Sequence, residues 1–175
     1  MNLIIFAPMW LAGLLFLALI AAAAEDVWRL RISNVTVLVV IAAAIAAMAF
    51  EGFRGPMWQN AVIFAVVMLI GTFAFSANLL GGGDVKLLAA TGLWVSFASA
   101  LWLIASIFIA GGVVALIYIA KRKWQGKRRS EANRIPYGVA IAAGAMLVLG
   151  SQYSHSLTVK GQPLPPIKGV NLPRS

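Results

Sequence analysis

Two aspartates are the residues whose type and position suggest chemistry. Asp84 follows three glycines, at 81–83, and stands at the edge of a long apolar run, while Asp26 lies in a short charged segment at 25–34. Two carboxylates within a few ångströms of each other cannot both ionise easily, so one of them keeps a proton. Such a pair can hold a water molecule between an acid and a base, which suffices for peptide hydrolysis without a metal or a covalent intermediate.

The spacing alone leaves a simpler interpretation open. An aspartate beside a membrane helix is often a helix cap or an interfacial charge, and successive glycines often only form a turn. Three glycines also supply backbone that can adopt φ > 0 and approach another chain closely, which would let a substrate lie against Asp84. The spacing does not show that Asp26 and Asp84 meet.

Other reactive groups are scarce. The chain has no cysteine and one histidine, His155. The lack of cysteine excludes disulfides, thiolate metal sites and cysteine nucleophiles. A zinc site would need carboxylates around the lone histidine, so we predict neither a metal nor a cofactor, and we assign His155 no catalytic role.

Composition indicates a membrane protein. Hydrophobic residues make up 62% of the 175 residues and charged residues 11%, and the mean hydropathy is +0.92. These values are typical of a polytopic membrane protein, in which helices satisfy their own backbone groups within the bilayer. We predict an all-α fold with one membrane-embedded domain at 1–153. The remainder, 154–175, holds four of the seven prolines and is predicted to be an extended, disordered tail.

Six apolar runs predict about six transmembrane helices. The stretch at 85–120 would measure about 54 Å as a single helix, nearly twice the hydrocarbon thickness, so it must fold back. No Lys or Arg precedes the first run, which is also too long for a signal peptide, so we interpret it as a retained helix. The predicted helices are 3–24, 35–50, 57–77, about 85–96, about 99–120, and 136 to about 153.

The basic residues predict the orientation. The net charge is +9, but the Lys and Arg side chains lie in short loops between apolar runs, so we predict no nucleic-acid partner. With six spans, the first, third and fifth loops share one side and carry nearly all of this charge, whereas the even loops offer only Arg54. The positive-inside rule therefore places Asp26 and Asp84 on the cytoplasmic side and both termini outside. The cluster at 121–129 is predicted to contact anionic lipid headgroups.

Three segments resemble a known family. Gly-Gly-Gly-Asp at 81–84 fits the GxGD motif of membrane aspartyl proteases, and 81–90 resembles the type IV prepilin peptidase family, especially its small TadV/CpaA-like type. In that family the first catalytic aspartate opens a segment D-x-R-x-x-R-I-P-N. Residues 26–34 keep this length, with Arg31, Ile32 and Asn34 in place. Residues 136–144 are similar to the segment that opens the family's last helix.

The resemblance covers residues from about 10 to 150, with the three segments in the family's order. Two departures occur in the segment that Asp26 opens. Ser33 stands where the family usually has proline, and Arg29 lies one position later than the family's first arginine. Neither change removes a carboxylate, so both bear on the geometry of the loop more than on catalysis.

The resemblance implies a GxGD aspartyl protease fold and a function. Asp26 and Asp84 would be the catalytic pair of an aspartic-type endopeptidase that cleaves Flp-type prepilins after a glycine, between a basic leader and a hydrophobic helix. Prepilin and pilin-like proteins would be the substrates, and the protein would reside in the bacterial inner membrane. The family's larger members also N-methylate the product with an extra domain that often has paired cysteines. This chain has neither, so we expect no methylation.

Several neighbours are candidate supporting residues for the substrate or the loops. Lys86 could orient or ionise Asp84, although an interfacial lysine with its head in water is the simpler interpretation. Asn34 and Asn78 could bond near the site or cap helix ends. We interpret Glu25 as a solvated loop charge. The predicted supporting set is Gly81, Gly82, Gly83, Lys86, Arg31 and Asn34.

Two other functions remain open at this point. The chain could be a non-catalytic scaffold of a pilus or secretion machine that keeps the fold with a silent site. It could also be a small transporter in which Asp26 and Asp84 carry protons or cations. A transporter would need a path from the aspartates to both sides of the membrane, whereas a peptidase needs access from one side only.

Overall fold

The computed structural model describes residues 1–52, 55–124 and 137–160. Within these residues the chain forms seven α-helices and one short 3-10 helix, Gly55–Met57, and no strand. The helices are α1 (Leu3–Phe6), α2 (Met9–Arg29), α3 (Asn34–Glu51), α4 (Trp58–Ser76), α5 (Gly82–Gly92), α6 (Phe97–Trp124) and α7 (Tyr137–Lys160).

The prediction of an all-α polytopic membrane protein is confirmed. Four of the described helices are long and apolar enough to cross a membrane: α2, α3, α4 and the Phe97–Ile117 part of α6. The other two large helices differ in kind. α5 has 11 residues, about 16 Å of helix, and α7 has 24 residues with a polar second half.

The sequence predicted one helix over the first apolar run, but Pro8 divides this run into two helices. Proline lacks an N–H and disfavours helical backbone in the residue before it. Ala7 is accordingly extended, with ψ 140°, and Pro8 serves as the N-cap of α2. The chain therefore begins with the short helix α1, which packs against α3 and α7. The longer helix α2 follows after Pro8.

The end of α2 also differs from the prediction. The helix continues to Arg29, so Asp26 is a residue of its last turn and not of a loop. Leu30 ends the helix in the left-handed conformation, with φ 51°, and its N–H donates to the Asp26 carbonyl at 2.9 Å. That conformation costs a residue other than glycine about 1–2 kcal/mol, so the corner between α2 and α3 must be held by other contacts.

The break in the long apolar stretch lies at residues 93–96, a few residues before the predicted position. α5 begins at Gly82, earlier than predicted, so two of the three glycines belong to the helix. α5 packs against α3, α4 and α7, and nearly all of its faces are buried. This central position lets a short helix bring Asp84 into the interior of the bundle.

The last helix extends to Lys160, beyond the predicted end at Tyr153, so 154–160 is helical and that part of the tail prediction is wrong. The rest of the predicted tail, 161–175, lies outside the described residues. The predicted basic loop begins within the last turn of α6, and its part from 125 to 129 also lies outside them.

The described helix ends lie at two ends of the bundle. At one end, the buried side chain of Asn60 donates to the carbonyls of Met1, Leu93 and Val95, at 2.8, 2.7 and 3.1 Å. At the other end lie Asp26, Asp84 and the start of α7. The ends of α2 and α4 and the starts of α5 and α7 therefore lie together.

Candidate active site

The buried face of α2 places Asp26 inside the protein. Leu11, Leu15, Leu19 and Ala22 are buried at helical spacing, and Asp26 continues this face with 4% of its surface exposed. Its Oδ2 accepts a hydrogen bond of 2.6 Å from the N–H of Gly138. The next N–H, of Val139, also donates to this carboxylate.

These donors belong to the first turn of α7, whose N–H groups have no partner within the helix. A carboxylate at a helix N-terminus satisfies such groups and interacts favourably with the helix dipole. Asp26 therefore fastens the start of α7 to the end of α2, and this contact joins two of the segments that carried the family resemblance.

Asp84 is held differently, by its own helix. It is the third residue of α5, and its Oδ2 accepts a hydrogen bond of 3.1 Å from the N–H of Gly81, the N-cap. The side chain is 9% exposed. Both aspartates thus cap helices, as the simpler interpretation of the sequence suggested for Asp84. The capping role is nevertheless compatible with a shared site, because both residues line the same cavity.

The two carboxylates line one cavity of about 640 Å³. Its walls come from the corner between α2 and α3, the end of α4, the glycine segment and the start of α7. The lining residues are Asp26, Leu30, Arg31, Ile32, Phe75, Asn78, Leu79, Leu80, Gly81, Gly82, Gly83, Asp84 and Tyr137. A volume of this size is within the range of ligand pockets.

The two carboxylates also interact electrically. Asp84 belongs to none of the four candidate spans. Burial, and after it the negative charge of Asp26, raise the pKa of the Asp84 carboxyl to about 6, against the lowering effect of the Gly81 N–H. Near this pH the site can therefore hold one proton between two carboxylates, which is the condition for acid and base to act together.

The glycines at 81–83 allow close approach between parts of the chain, and none of them has a positive φ. Gly81 has φ −74°, and the residues with positive φ in the described chain include Leu30 and Asn78 but none of the three glycines. A Cβ on Gly81 would lie 2.7 Å from Asp84 Oδ2, and one on Gly83 would lie 3.0–3.3 Å from Cβ, O and N of Ile32. Gly83 therefore lets α5 touch the segment that follows Asp26.

Glu25 is a structural residue, so its interpretation as a solvated charge is wrong. Its carboxylate accepts hydrogen bonds from Ser33 N at 2.8 Å and from Thr36 Oγ1 at 3.1 Å. Ser33 also caps α3, because its Oγ accepts from Thr36 N at 3.2 Å. The serine at the family's proline position thus supplies an N–H that proline lacks, and this bond joins the N-cap of α3 to the end of α2.

Of the other predicted supporting residues, Arg31 lines the cavity, whereas Lys86 and Asn34 do not. Lys86 Nζ donates to Asn34 Oδ1 at 3.0 Å, which ties α5 to the start of α3. Lys86 thus neither bonds nor orients Asp84. Arg31 is exposed and lines the cavity, as does Asn78.

A second recess, of about 770 Å³, lies at the α2–α3 corner and contains neither aspartate. It is lined by Glu25, Arg29, Leu30, Arg31, Ile32, Ser33 and Asn34. The carboxylate of Glu25 is already bonded to Ser33 and Thr36, so we place the candidate active site in the cavity that both aspartates line.

Sequence reasoning missed the roles of Tyr137 and Gly138. Tyr137 lines the cavity, and Gly138 must be glycine, since a Cβ there would lie 2.8–2.9 Å from three atoms of the Asp26 side chain. The signal was present in the segment at 136–144, which the family resemblance included without a role for any residue. Only the packed bundle shows that this segment meets Asp26.

One protein-family model matches the chain. A family model described as the type IV leader peptidase family matches residues 13–119, more than half of the chain. The match contains Asp26 and Asp84 and ends before α7. No curated protein and no solved structure shows significant similarity to the chain.

Proposed function

Because the chain belongs to the type IV leader peptidase family, we propose that it is an aspartic-type endopeptidase acting on Flp-type prepilins. It removes the basic leader by cutting after a glycine at the cytoplasmic face of the bacterial inner membrane. The observation that carries this proposal is that Asp26 and Asp84, 58 positions apart in the sequence, line one cavity. The coupling between their charges supports a shared proton.

The chemistry follows from that shared proton. One carboxylate takes a proton from a water molecule as the water oxygen attacks the scissile carbonyl carbon, while the protonated partner donates to the carbonyl oxygen. Collapse of the resulting diol breaks the C–N bond as a proton passes to the leaving nitrogen. No metal or covalent intermediate is required.

The walls of the cavity suit a peptide that leaves a membrane. Phe75 and Leu79 are 51% and 66% exposed and can contact the apolar helix of a pilin-like substrate. The glycine segment leaves room for a peptide backbone beside Asp84. The leader would extend toward the cytoplasm, where prepilins retain it.

Single amide substitutions test the function. Asp26→Asn and Asp84→Asn keep side-chain size but remove the ionisable group, and each should abolish processing of a coexpressed Flp-type prepilin on a gel. Glu131→Gln makes the same chemical change in the sequence between α6 and α7 and should leave processing intact. Continued cleavage by both aspartate variants would refute the mechanism.

Two other results would select the alternatives. Unprocessed prepilin in the presence of folded wild-type protein would favour a scaffold. Proton or cation flux in vesicles that is lost in both aspartate variants would favour a transporter. Mass spectrometry of the processed pilin should show an unmethylated N-terminus.

Labelling of single cysteines tests the orientation. The chain has no native cysteine, and Ser76 and Trp58 are exposed at opposite ends of α4. Ser76→Cys, near the cavity, should react only with reagents on the cytoplasmic side, and Trp58→Cys only from outside. This orientation would also place the basic cluster at 121–129 against the anionic lipid of the inner leaflet.

A further inference from the structure

We propose that the start of α7 makes the two aspartates unequal, so that Asp26 is the ionised member that accepts the water proton and Asp84 is the member that carries the proton. The inference rests on the proposed peptidase function and deepens it, because it assigns the base and the acid and makes Gly138 a positioning residue.

The hydrogen bonds around each carboxylate differ in number and length. Asp26 accepts two successive N–H groups from α7, and the one from Gly138 is 2.6 Å long. Asp84 accepts one, from Gly81, at 3.1 Å. Hydrogen bonds to the charged form of a carboxylate favour that form, and short ones are the stronger. Both residues are buried, with 4% and 9% of their surface exposed, so the difference between their donors is the geometric feature on which this assignment rests.

The other polar groups around the pair do not reverse this order. Glu25 is bonded to the α2–α3 corner, and Lys86 is bonded to Asn34. Arg31, from the same corner, and Tyr137, from α7, line the cavity beside both aspartates. Asp26 thus receives the shorter bond, from the first turn of α7, whereas Asp84 receives the longer bond, from the N-cap of its own helix.

The assignment balances over a full cycle. Asp26 takes a proton from water as the water oxygen bonds to the carbonyl carbon, and Asp84 gives its proton to the carbonyl oxygen. On collapse, Asp26 gives its proton to the leaving nitrogen, the C–N bond breaks, and one hydroxyl returns a proton to Asp84. Both aspartates regain their starting states, with a new carboxyl and a new amine as products.

The composition of the chain allows a direct test. Asp26 and Asp84 are its only aspartates, so full-length protein labelled with ¹³C-carboxyl aspartate in lipid nanodiscs gives two resonances, which Asp26→Asn and Asp84→Asn assign. We expect the Asp84 resonance to titrate about one pH unit or more above that of Asp26. Equal midpoints, or a lower midpoint for Asp84, would overturn the proposal.

Gly138→Ala tests the origin of the difference. Its Cβ would lie 2.8 Å from Asp26 Oδ2 and must push the start of α7 away. The Asp26 midpoint should then rise by about one pH unit, as expected for one lost hydrogen bond to a charged group. In a plot of cleavage rate against pH, the midpoint of the acid side should move to higher pH by the same amount. Gly150→Ala, on the same helix with no atom within 4 Å of the added carbon, should leave both unchanged.

A folded Gly138→Ala protein with an unchanged gap between midpoints would show that α7 is not the cause. If that variant does not fold, the wild-type titration alone still decides the assignment. The resonances are read without substrate, so unequal midpoints without prepilin cleavage would refute the peptidase function alone. Cleavage with equal midpoints would refute the present inference alone.

Discussion

Replacement of Gly83 by alanine should slow cleavage through a shift of the two aspartates relative to each other. The added Cβ would lie 3.0 Å from Ile32 Cβ, 3.1 Å from its carbonyl oxygen and 3.3 Å from its nitrogen. Carbon atoms pack at about 3.5–4.0 Å, so α5 and the segment after Asp26 must separate by roughly 0.5 Å. Two of the three contacts are backbone atoms, which cannot rotate away.

The magnitude follows from the sensitivity of catalysis to position. A misplacement of about 1 Å can cost on the order of 100-fold in rate. A shift of roughly 0.5 Å should therefore reduce kcat/KM about tenfold, equivalent to about 1.4 kcal/mol in the barrier. Overpacking of about 1–3 kcal/mol should also exceed the helix-propensity gain of about 1 kcal/mol, so the Tm should fall.

Gly13→Ala, in α2 and away from the cavity, is the matched control. Its Cβ would have no atom within 4 Å. Both purified variants would be assayed for cleavage of a prepilin peptide in detergent, with Tm measured in parallel. Wild-type cleavage by folded Gly83→Ala, or an equal loss in Gly13→Ala, would refute the close-approach argument.

Three further predictions concern stability. The pKa of Asp84 is raised from 3.8 to about 6 in the native state, so the carboxyl ionises at lower pH in the unfolded chain. The free energy of unfolding therefore falls by up to about 3 kcal/mol as pH rises through this window. Asp84→Asn should raise the Tm at pH 8 but not at pH 4. Asn60→Leu leaves the buried carbonyls of Leu93 and Val95 unpaired and should cost about 2–4 kcal/mol in a denaturant titration, whereas Gln59→Leu should cost little. Ser33→Pro fits the local φ of −73° but removes the N–H bonded to Glu25, so the Tm should fall; an unchanged Tm would refute this role.

Local sequence patterns predicted the class of the fold and the order of its helices. Hydropathy depends on residues close in the chain, and the bilayer requires helical spans, so the order of the apolar runs carried over to the structure, although Pro8 divides the first run into α1 and α2. The alternation of basic loops likewise predicted that Asp26 and Asp84 share an end of the bundle.

Boundaries were predicted less well, because single residues decide them. Pro8 was not recognised as a break in the first run. The extension of α2 through Asp26 depends on the left-handed Leu30 and on the bonds of Glu25 to Ser33 and Thr36, which no local pattern of hydropathy records.

The sequence by itself identified two aspartates and three glycines as candidate site residues, and a family resemblance implied their function. Only the tertiary structure decided that both carboxylates cap helices while lining one cavity, and that Gly138 holds Asp26. The reason is physical: a hydrogen bond between residues 112 positions apart, and a glycine needed for close approach, exist only once the helices have packed.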